Sequence, residues 1–161
     1  MDKSLSSTLS KLHRAVLKPL GFRKKSATFS REHADYTELF NIQASQWNGP
    51  WGRSFYVNCG LTFRDLPMES PWTYFPNTRW ADRIETVVPT APKQWDYSEN
   101  QNMTQLTERL GACILEASEE FAASLSKYRQ EYLERVRGSC ITGRALRPNS
   151  SFKPTPLRGT A

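Results

Sequence analysis

Residues 36–63 form two runs of alternating apolar and polar side chains, separated by a segment that favours a turn. That segment, Asn48-Gly49-Pro50-Trp51-Gly52, is the strongest loop signal in the chain. Alternation at a period of two places one set of side chains on a buried face of a strand. The pattern therefore predicts an antiparallel hairpin. Its apolar faces comprise Tyr36, Phe40, Ile42 and Ala44 in the first strand and Phe55, Val57, Cys59, Leu61 and Phe63 in the second.

Helical periodicity flanks this hairpin on both sides. Apolar residues recur every three or four positions over residues 4–18, and Pro19 and Gly21 end that helix. A longer helix follows Asn102, which can act with Gln105 as a capping pair, and ends near Arg137. The two apolar stripes are Leu5, Leu9, Leu12, Val16 and Leu20 in the first helix, and Leu106, Leu110, Cys113, Ile114, Ala117, Phe121, Leu125, Tyr128 and Tyr132 in the second.

Two further strands are predicted outside the hairpin. Residues 27–32 form a short strand that precedes a tight turn at His33-Ala34-Asp35, and residues 79–88 form a fourth strand. Between the hairpin and the fourth strand, three prolines among aromatic residues predict an irregular loop at 65–78, because proline cannot donate to a strand ladder.

Helices before and after a group of strands indicate an α+β fold. We expect an N-terminal helix, an antiparallel sheet of three to four strands, and a long C-terminal helix packed on one sheet face. Residues 1–137 form this single domain in our prediction. Residues 138–161 lack a periodic apolar face and are expected to be a disordered basic tail.

Charge is unevenly distributed along the 161 residues. The formal net charge is +6, but the tail holds four of the 22 basic residues and none of the 16 acidic ones. The rest of the chain therefore has 18 basic and 16 acidic groups, a net charge of only +2. Nucleic-acid binding through phosphates needs clustered cations, so overall charge does not make nucleic acid the favoured partner.

Cysteine usage and hydropathy indicate the cellular compartment in which the protein occurs. Cys59, Cys113 and Cys140 are odd in number and never form a CxxC pair, as expected of reduced thiols. The first residues lack a basic region followed by an apolar run, and no stretch approaches the ~18 apolar residues of a membrane-spanning helix. We expect a cytoplasmic protein with no membrane partner.

No catalytic, metal or phosphate-binding motif is present. The chain has only two histidines, and no set of three or four zinc ligands occurs at recognisable spacing. His13 is expected to be a structural imidazole beside the first helix, and His33 to lie in a solvated turn. Cys59 and His13 could approach in space as a nucleophile pair, although the strand face of Cys59 favours a small buried hydrophobe. No cofactor or metal is expected, and an enzyme of unrecognised type is the less favoured alternative.

Aromatic side chains cluster in the middle of the chain. All five tryptophans lie between Trp47 and Trp95, and residues 47–97 hold 11 of the 19 aromatic residues. Large rings are costly to expose without a partner, so the cluster suggests a binding surface rimmed by cations. Closure of the core by the same rings is an equally supported alternative. The candidate binding residues are Trp47, Trp51, Arg53, Trp72, Tyr74 and Trp80, together with Arg23 and Lys24.

These features favour a non-enzymatic binding or interaction module whose partner is a protein or a small ligand. The alternative is single-stranded nucleic-acid binding through aromatic and basic residues. The strand Arg53-Ser54-Phe55-Tyr56-Val57 has some similarity to the RNA-recognition strand motif. It lacks the glycine of that motif, however, and Phe55 falls on the presumed core face.

The run Leu17-Lys18-Pro19-Leu20-Gly21-Phe22-Arg23-Lys24-Lys25, followed by Thr28-Phe29-Ser30-Arg31, resembles the opening of a bacterial family known as domain of unknown function 4304. The resemblance continues through Val57-Asn58-Cys59-Gly60-Leu61 and Trp95-Asp96-Tyr97, and spans roughly residues 5–130. It implies a fold and no established activity. Residues 144–159 are similar to translated recombination sites of integron gene cassettes, which implies a gene carried on a mobile cassette.

Overall fold

The structure, a computed structural model, describes residues 3–49, 53–66, 80–97 and 103–141. These residues form four α-helices and a six-stranded antiparallel sheet, which confirms the predicted α+β class but exceeds the three to four strands expected. The helices are α1 (Lys3–Leu12), α2 (Ile84–Val87), α3 (Met103–Ala123) and α4 (Leu125–Ile141). The strands are β1 (Arg23–Lys25), β2 (Thr28–Glu32), β3 (Tyr36–Ala44), β4 (Arg53–Phe63), β5 (Trp80–Arg83) and β6 (Trp95–Tyr97).

The N-terminal helix changes its winding after Leu12. A π-helical turn, His13–Leu17, and a 3₁₀ turn, Lys18–Leu20, follow α1 before Gly21 ends the segment with a φ of 87°. The step from Leu12 to Leu17 is five residues, which matches the i→i+5 bonding of a π-helix. This corrects the predicted stripe at its end: Leu17 is fully buried, whereas Leu20 is 44% exposed.

The sheet is built around β4. Its strand order is β1-β2-β3-β4-β5, and β6 pairs with β4 beside β5. The predicted hairpin is present as β3 and β4, with Phe40 opposite Cys59 in the register. The two strands that the sequence did not reveal, β1 and β6, are three residues long, too short for alternation to show. Ser26 makes the tight turn from β1 to β2 with a φ of 55°, so no glycine marks it.

The predicted fourth strand at 79–88 is shorter than expected. It ends at Arg83, and the single helical turn α2 follows. The Thr86 hydroxyl bonds to the Arg83 carbonyl, and the Val88 N–H donates to the Ile84 carbonyl at 2.8 Å. These local bonds give the backbone an alternative to the strand ladder.

One face of the sheet packs against α1 and α3. The Phe40 ring centroid lies 5.9 Å from that of Phe121 on α3. The two helices approach closely at Gly111, where an added Cβ would meet Leu12 Cδ1 at 3.1 Å. The largest fully buried side chains are Tyr132, Phe29, Phe40, Phe55, Phe63, Phe121, Leu5, Leu9, Leu12, Leu17, Leu61 and Ile84.

The long C-terminal helix is divided in two. The Ser124 carbonyl accepts from both Lys127 N–H at 3.0 Å and Tyr128 N–H at 3.3 Å, a tighter turn that separates α3 from α4. Helix α4 extends to Ile141, beyond the end expected near Arg137. The rest of the predicted tail, residues 142–161, lies outside the described residues. None of the helices in the described part combines the length and apolar character needed to cross a membrane.

The opposite face of the sheet carries a polar row. Neighbouring positions across five strands are Lys25, Thr28, Asn41, Asn58 and Arg83. Asn41 Nδ2 donates to Thr28 Oγ1 at 2.9 Å, and Arg83 Nη1 donates to Asn58 Oδ1 at 2.7 Å. Among the described residues, this row is therefore a hydrogen-bonded polar one, and Arg83 also lies over the Tyr56 ring at 4.5 Å.

Candidate functional site

Five of the eight candidate binding residues chosen from the sequence lie in the described part of the chain, and these five do not form one surface. Trp47, just after β3, is 83% exposed. Arg53 begins β4 and is partly buried. Trp51, Trp72 and Tyr74 lie outside the described residues.

Trp80 belongs to the core, which corrects its expected place on a binding surface. It is 3% exposed and lies on the helix-covered face of the sheet, with its ring 5.7 Å from Phe121 and 4.6 Å from Tyr128. Its Nε1 donates to Glu131 Oε2 on α4 at 2.8 Å. For this ring, core closure is the correct interpretation.

Arg23 and Lys24 are neighbours on β1 and point to opposite faces of the sheet. Arg23 is exposed and pairs with Glu32 at 3.0 Å. Lys24 stands opposite Phe29 in the register, on the face toward the N-terminal helix. There it lines a cavity whose described lining includes none of the aromatic candidates.

This cavity has a volume of about 270 Å³ and lies between the π-helical turn and β1. We call it the basic pocket, and it is lined by Ser10, His13, Arg14, Lys18 and Lys24. The π-helical turn supplies His13 and Arg14, and the 3₁₀ turn supplies Lys18. π-Helical turns are rare and often occur at functional sites.

His13 is fixed by two contacts at the wall of the basic pocket. Its Nε2 is 2.9 Å from the Phe22 carbonyl oxygen, which can only accept, so Nε2 carries the proton. Its ring also stacks on Phe29, with centroids 6.2 Å apart. These contacts agree with the structural role expected for His13.

The basic pocket concentrates one sign of charge. Arg14, Lys18 and Lys24 are cationic, and no described residue that lines the pocket is acidic. None of the three forms an ion pair with any residue of the described ranges. Converging donors without an acidic partner favour the binding of an anion.

A second polar cluster, absent from the sequence-based candidates, surrounds Glu38 on β3. Glu38 is 0% exposed and accepts hydrogen bonds from Arg31 Nε at 2.5 Å and from His33 Nε2 at 2.8 Å. Its other oxygen accepts from Ser118 Oγ at 2.6 Å, and Arg31 also bonds to Ser118. The expected solvated turn at His33 is corrected, because its ring bonds to Glu38 and stacks on Tyr36 at 4.2 Å.

The order of contacts in the Glu38 cluster argues against nucleophilic catalysis. In a hydrolase triad the imidazole stands between the hydroxyl and the carboxylate and takes the hydroxyl proton. Here the carboxylate stands between Ser118 and His33. Burial and the nearby Glu38 carboxylate raise the pKa of the Tyr36 phenol, which keeps it protonated. Glu38 is therefore a buried carboxylate whose hydrogen-bond acceptor oxygens are both occupied by its neighbours.

Cys59 is also unsuited to nucleophilic chemistry. Burial, and then the charges of Asp82 and Glu85, raise the pKa of its thiol, so it stays protonated. Its Sγ donates to the Asp82 carbonyl at 3.6 Å, while His13 bonds elsewhere. The two residues therefore do not act as a pair. In the described ranges no group of three or more potential metal ligands converges.

The fold and the pocket together define a small α+β domain with a cationic, ligand-sized depression beneath its N-terminal helix. Residues 13–131 match the family described as "Domain of unknown function (DUF4304)", and the chain belongs to that family. Comparison with curated proteins gives no match. Comparison with solved structures also gives none.

Proposed function

We propose that this protein is a non-enzymatic binding module that holds a small phosphate-type anion in the basic pocket. The observation that carries this proposal is the convergence of Arg14, Lys18 and Lys24 on one cavity with no acidic residue among its described lining. Arginine offers a planar fork of donors that suits oxyanions, and lysine adds compact positive charges.

The size of the basic pocket limits the ligand. Its volume of about 270 Å³ is below the ~300–1,000 Å³ typical of sites for drug-sized molecules. A phosphate or diphosphate group fits this volume better than a larger organic body does. Lys18 and Lys24 belong to the run that carries the family resemblance, and every described lining residue except Ser10 lies within the matched residues 13–131.

Other functions have less support. Phe55 is fully buried, which removes the ring that an RNA-recognition strand would use for stacking. Trp80 lies in the core and therefore cannot belong to an aromatic binding surface. Among the described residues, Trp47 is the one strongly exposed ring of the candidates. The proposal of a mobile gene cassette in a bacterial genome depends on the sequence of the tail alone, and a cytoplasmic location remains part of the proposal.

Titration of the full chain with inorganic phosphate and with pyrophosphate tests the proposed function. Arg14→Gln and Lys24→Gln each remove one charge-assisted contact, so isothermal calorimetry is expected to show about tenfold weaker binding for each. Lys11→Gln is the matched control, because Lys11 is exposed on α1 and does not line the pocket. Its affinity is expected to equal that of the unaltered chain.

Two outcomes would overturn the proposal. One is phosphate and pyrophosphate binding that is equally strong in Arg14→Gln, Lys24→Gln and the control. The other is the absence of binding to either anion, together with salt-sensitive binding of a single-stranded oligonucleotide by the chain cut after Ile141. That second result would favour the nucleic-acid alternative.

A further inference from the structure

A second cavity lies between β6 and the beginning of α3. Its volume is about 370 Å³, and it shares no described lining residue with the basic pocket. The lining residues that bear on its chemistry are Trp95, Asp96, Leu106 and Arg109. They combine an indole, a guanidinium, a carboxylate and an aliphatic side chain.

Trp95 lines this cavity, and its indole N–H is a buried donor without a partner. Trp95 is 2% exposed, its ring stacks on Phe55 with centroids 5.8 Å apart, and its Nε1 has no hydrogen-bond partner. Trp80, the other buried tryptophan of the described ranges, does have an acceptor in Glu131. Buried donors in native proteins are nearly always paired, so this unpaired N–H is the group in the cavity wall that lacks an acceptor.

Arg109 brings a positive charge to the same place. Its guanidinium carbon lies 5.6 Å from the centroid of the Trp95 ring. No carboxylate pairs with Arg109 in the part of the chain that the structure describes. An acceptor that approaches the Trp95 edge therefore also meets an uncompensated guanidinium.

Asp96 limits the charge of the ligand. It lines the cavity and accepts from Gln94 Nε2 at 2.9 Å, so it is a fixed negative group near the entering molecule. A dianion would be repelled more strongly than a single charge, because Coulomb energy scales with the product of charges. Leu106 adds an apolar wall.

We propose that this cavity binds a small monocarboxylate, with one carboxylate oxygen accepting from Trp95 Nε1–H and the other facing Arg109. The short apolar body of the ligand lies against Leu106. The ligand differs from that of the basic pocket in charge and location, so the two proposals fail independently.

Nuclear magnetic resonance of the full chain tests the second site. Propionate and 4-methylpentanoate are the probes, and 4-methylpentanamide is the uncharged analogue. The indole N–H signal of Trp95, identified by its loss in Trp95→Phe, is expected to shift in saturable fashion with both carboxylates and not with the amide. Arg109→Gln is expected to weaken both titrations about tenfold.

Control variants separate this site from other effects. Arg137→Gln removes an exposed arginine from α4, and Lys11→Gln removes an exposed lysine from α1; both are expected to bind the carboxylates as the unaltered chain does. An indole signal that stays in place with both carboxylates would overturn the proposal. So would equal affinities in Arg109→Gln and Arg137→Gln, a comparison that holds even if Trp95→Phe does not fold.

Discussion

Glu38 shows how one charge is accommodated inside the core. A buried ion is tolerated only when opposite charge and hydrogen bonds replace its water. Arg31 and His33 supply both from nearby positions, and Ser118 completes the set from 80 residues away along the chain. Period-two alternation places Glu38 on the apolar face of β3, but local sequence does not reveal which distant hydroxyl reaches it.

Neutralising Glu38 tests this account. Glu38→Gln leaves Arg31 without its buried counter-charge, and we expect a loss of about 3 kcal/mol in the free energy of unfolding, measured by urea denaturation. Glu32→Gln is the matched control, because its pair with Arg23 is exposed, and it is expected to cost less than about 0.5 kcal/mol. Equal effects in the two variants would show that the Glu38 charge contributes no more than a surface pair.

At the scale of elements, the π-helical turn determines which leucine matters for stability. An unbroken α-helix would give a different order. Leu17→Ala removes a fully buried side chain and is expected to cost about 2–5 kcal/mol. Leu20→Ala truncates a largely exposed one and is expected to cost under about 1 kcal/mol. Thermal denaturation of both variants checks the order. A larger loss of stability in Leu20→Ala would instead support the continuous helix that the sequence suggested.

Long periodic elements were predictable from the sequence and short ones were not. The hairpin of β3 and β4 and the helical stripe from Leu106 to Tyr132 were identified because many residues repeat one period. β1 and β6 carry too few residues to show any period, and Ser26 gives no usual turn signal. The break at Ser124 lies between Phe121 and Tyr128, whose rings both contact Trp80, a residue distant in sequence.

The candidate site was only partly predictable for the same reason. Lys24 was selected beside an aromatic cluster, yet its neighbours in the structure are Ser10, His13, Arg14 and Lys18. The left-handed turn at Gly21 returns the chain so that β1 faces the preceding helix. A run of cations on both sides of a glycine turn is the signal that could have indicated this pocket.

For the molecule as a whole, buried acids of high pKa predict sensitivity to alkali. Burial raises the pKa of the Tyr128 phenol and of the Cys59 thiol in the folded state. The unfolded chain releases these protons at ordinary values of ~10 and ~8.5, so this stability is intact below those values and is lost as pH rises from them toward the higher folded-state pKa values. We expect the free energy of unfolding to decline from about pH 9 upward.

Tyr128→Phe isolates the contribution of this one phenol. Above about pH 10 its decline is expected to be shallower by up to ~1.4 kcal/mol per pH unit, the effect of one proton. Urea denaturation at a series of pH values gives the slopes. A flat profile between about pH 8 and pH 11 would contradict the linkage for both groups.

The outermost strand of the sheet has a consequence for behaviour at high concentration. β1 is three residues long, and all three are cationic: Arg23, Lys24 and Lys25. An edge strand exposes unpaired backbone groups that can recruit a strand from another molecule, and natural proteins block this with short, charged edges. A second copy that offered its own β1 would place six positive charges side by side. This edge therefore resists the chain-to-chain pairing that begins fibril growth, and the same lysine that faces the basic pocket helps to keep the molecules apart.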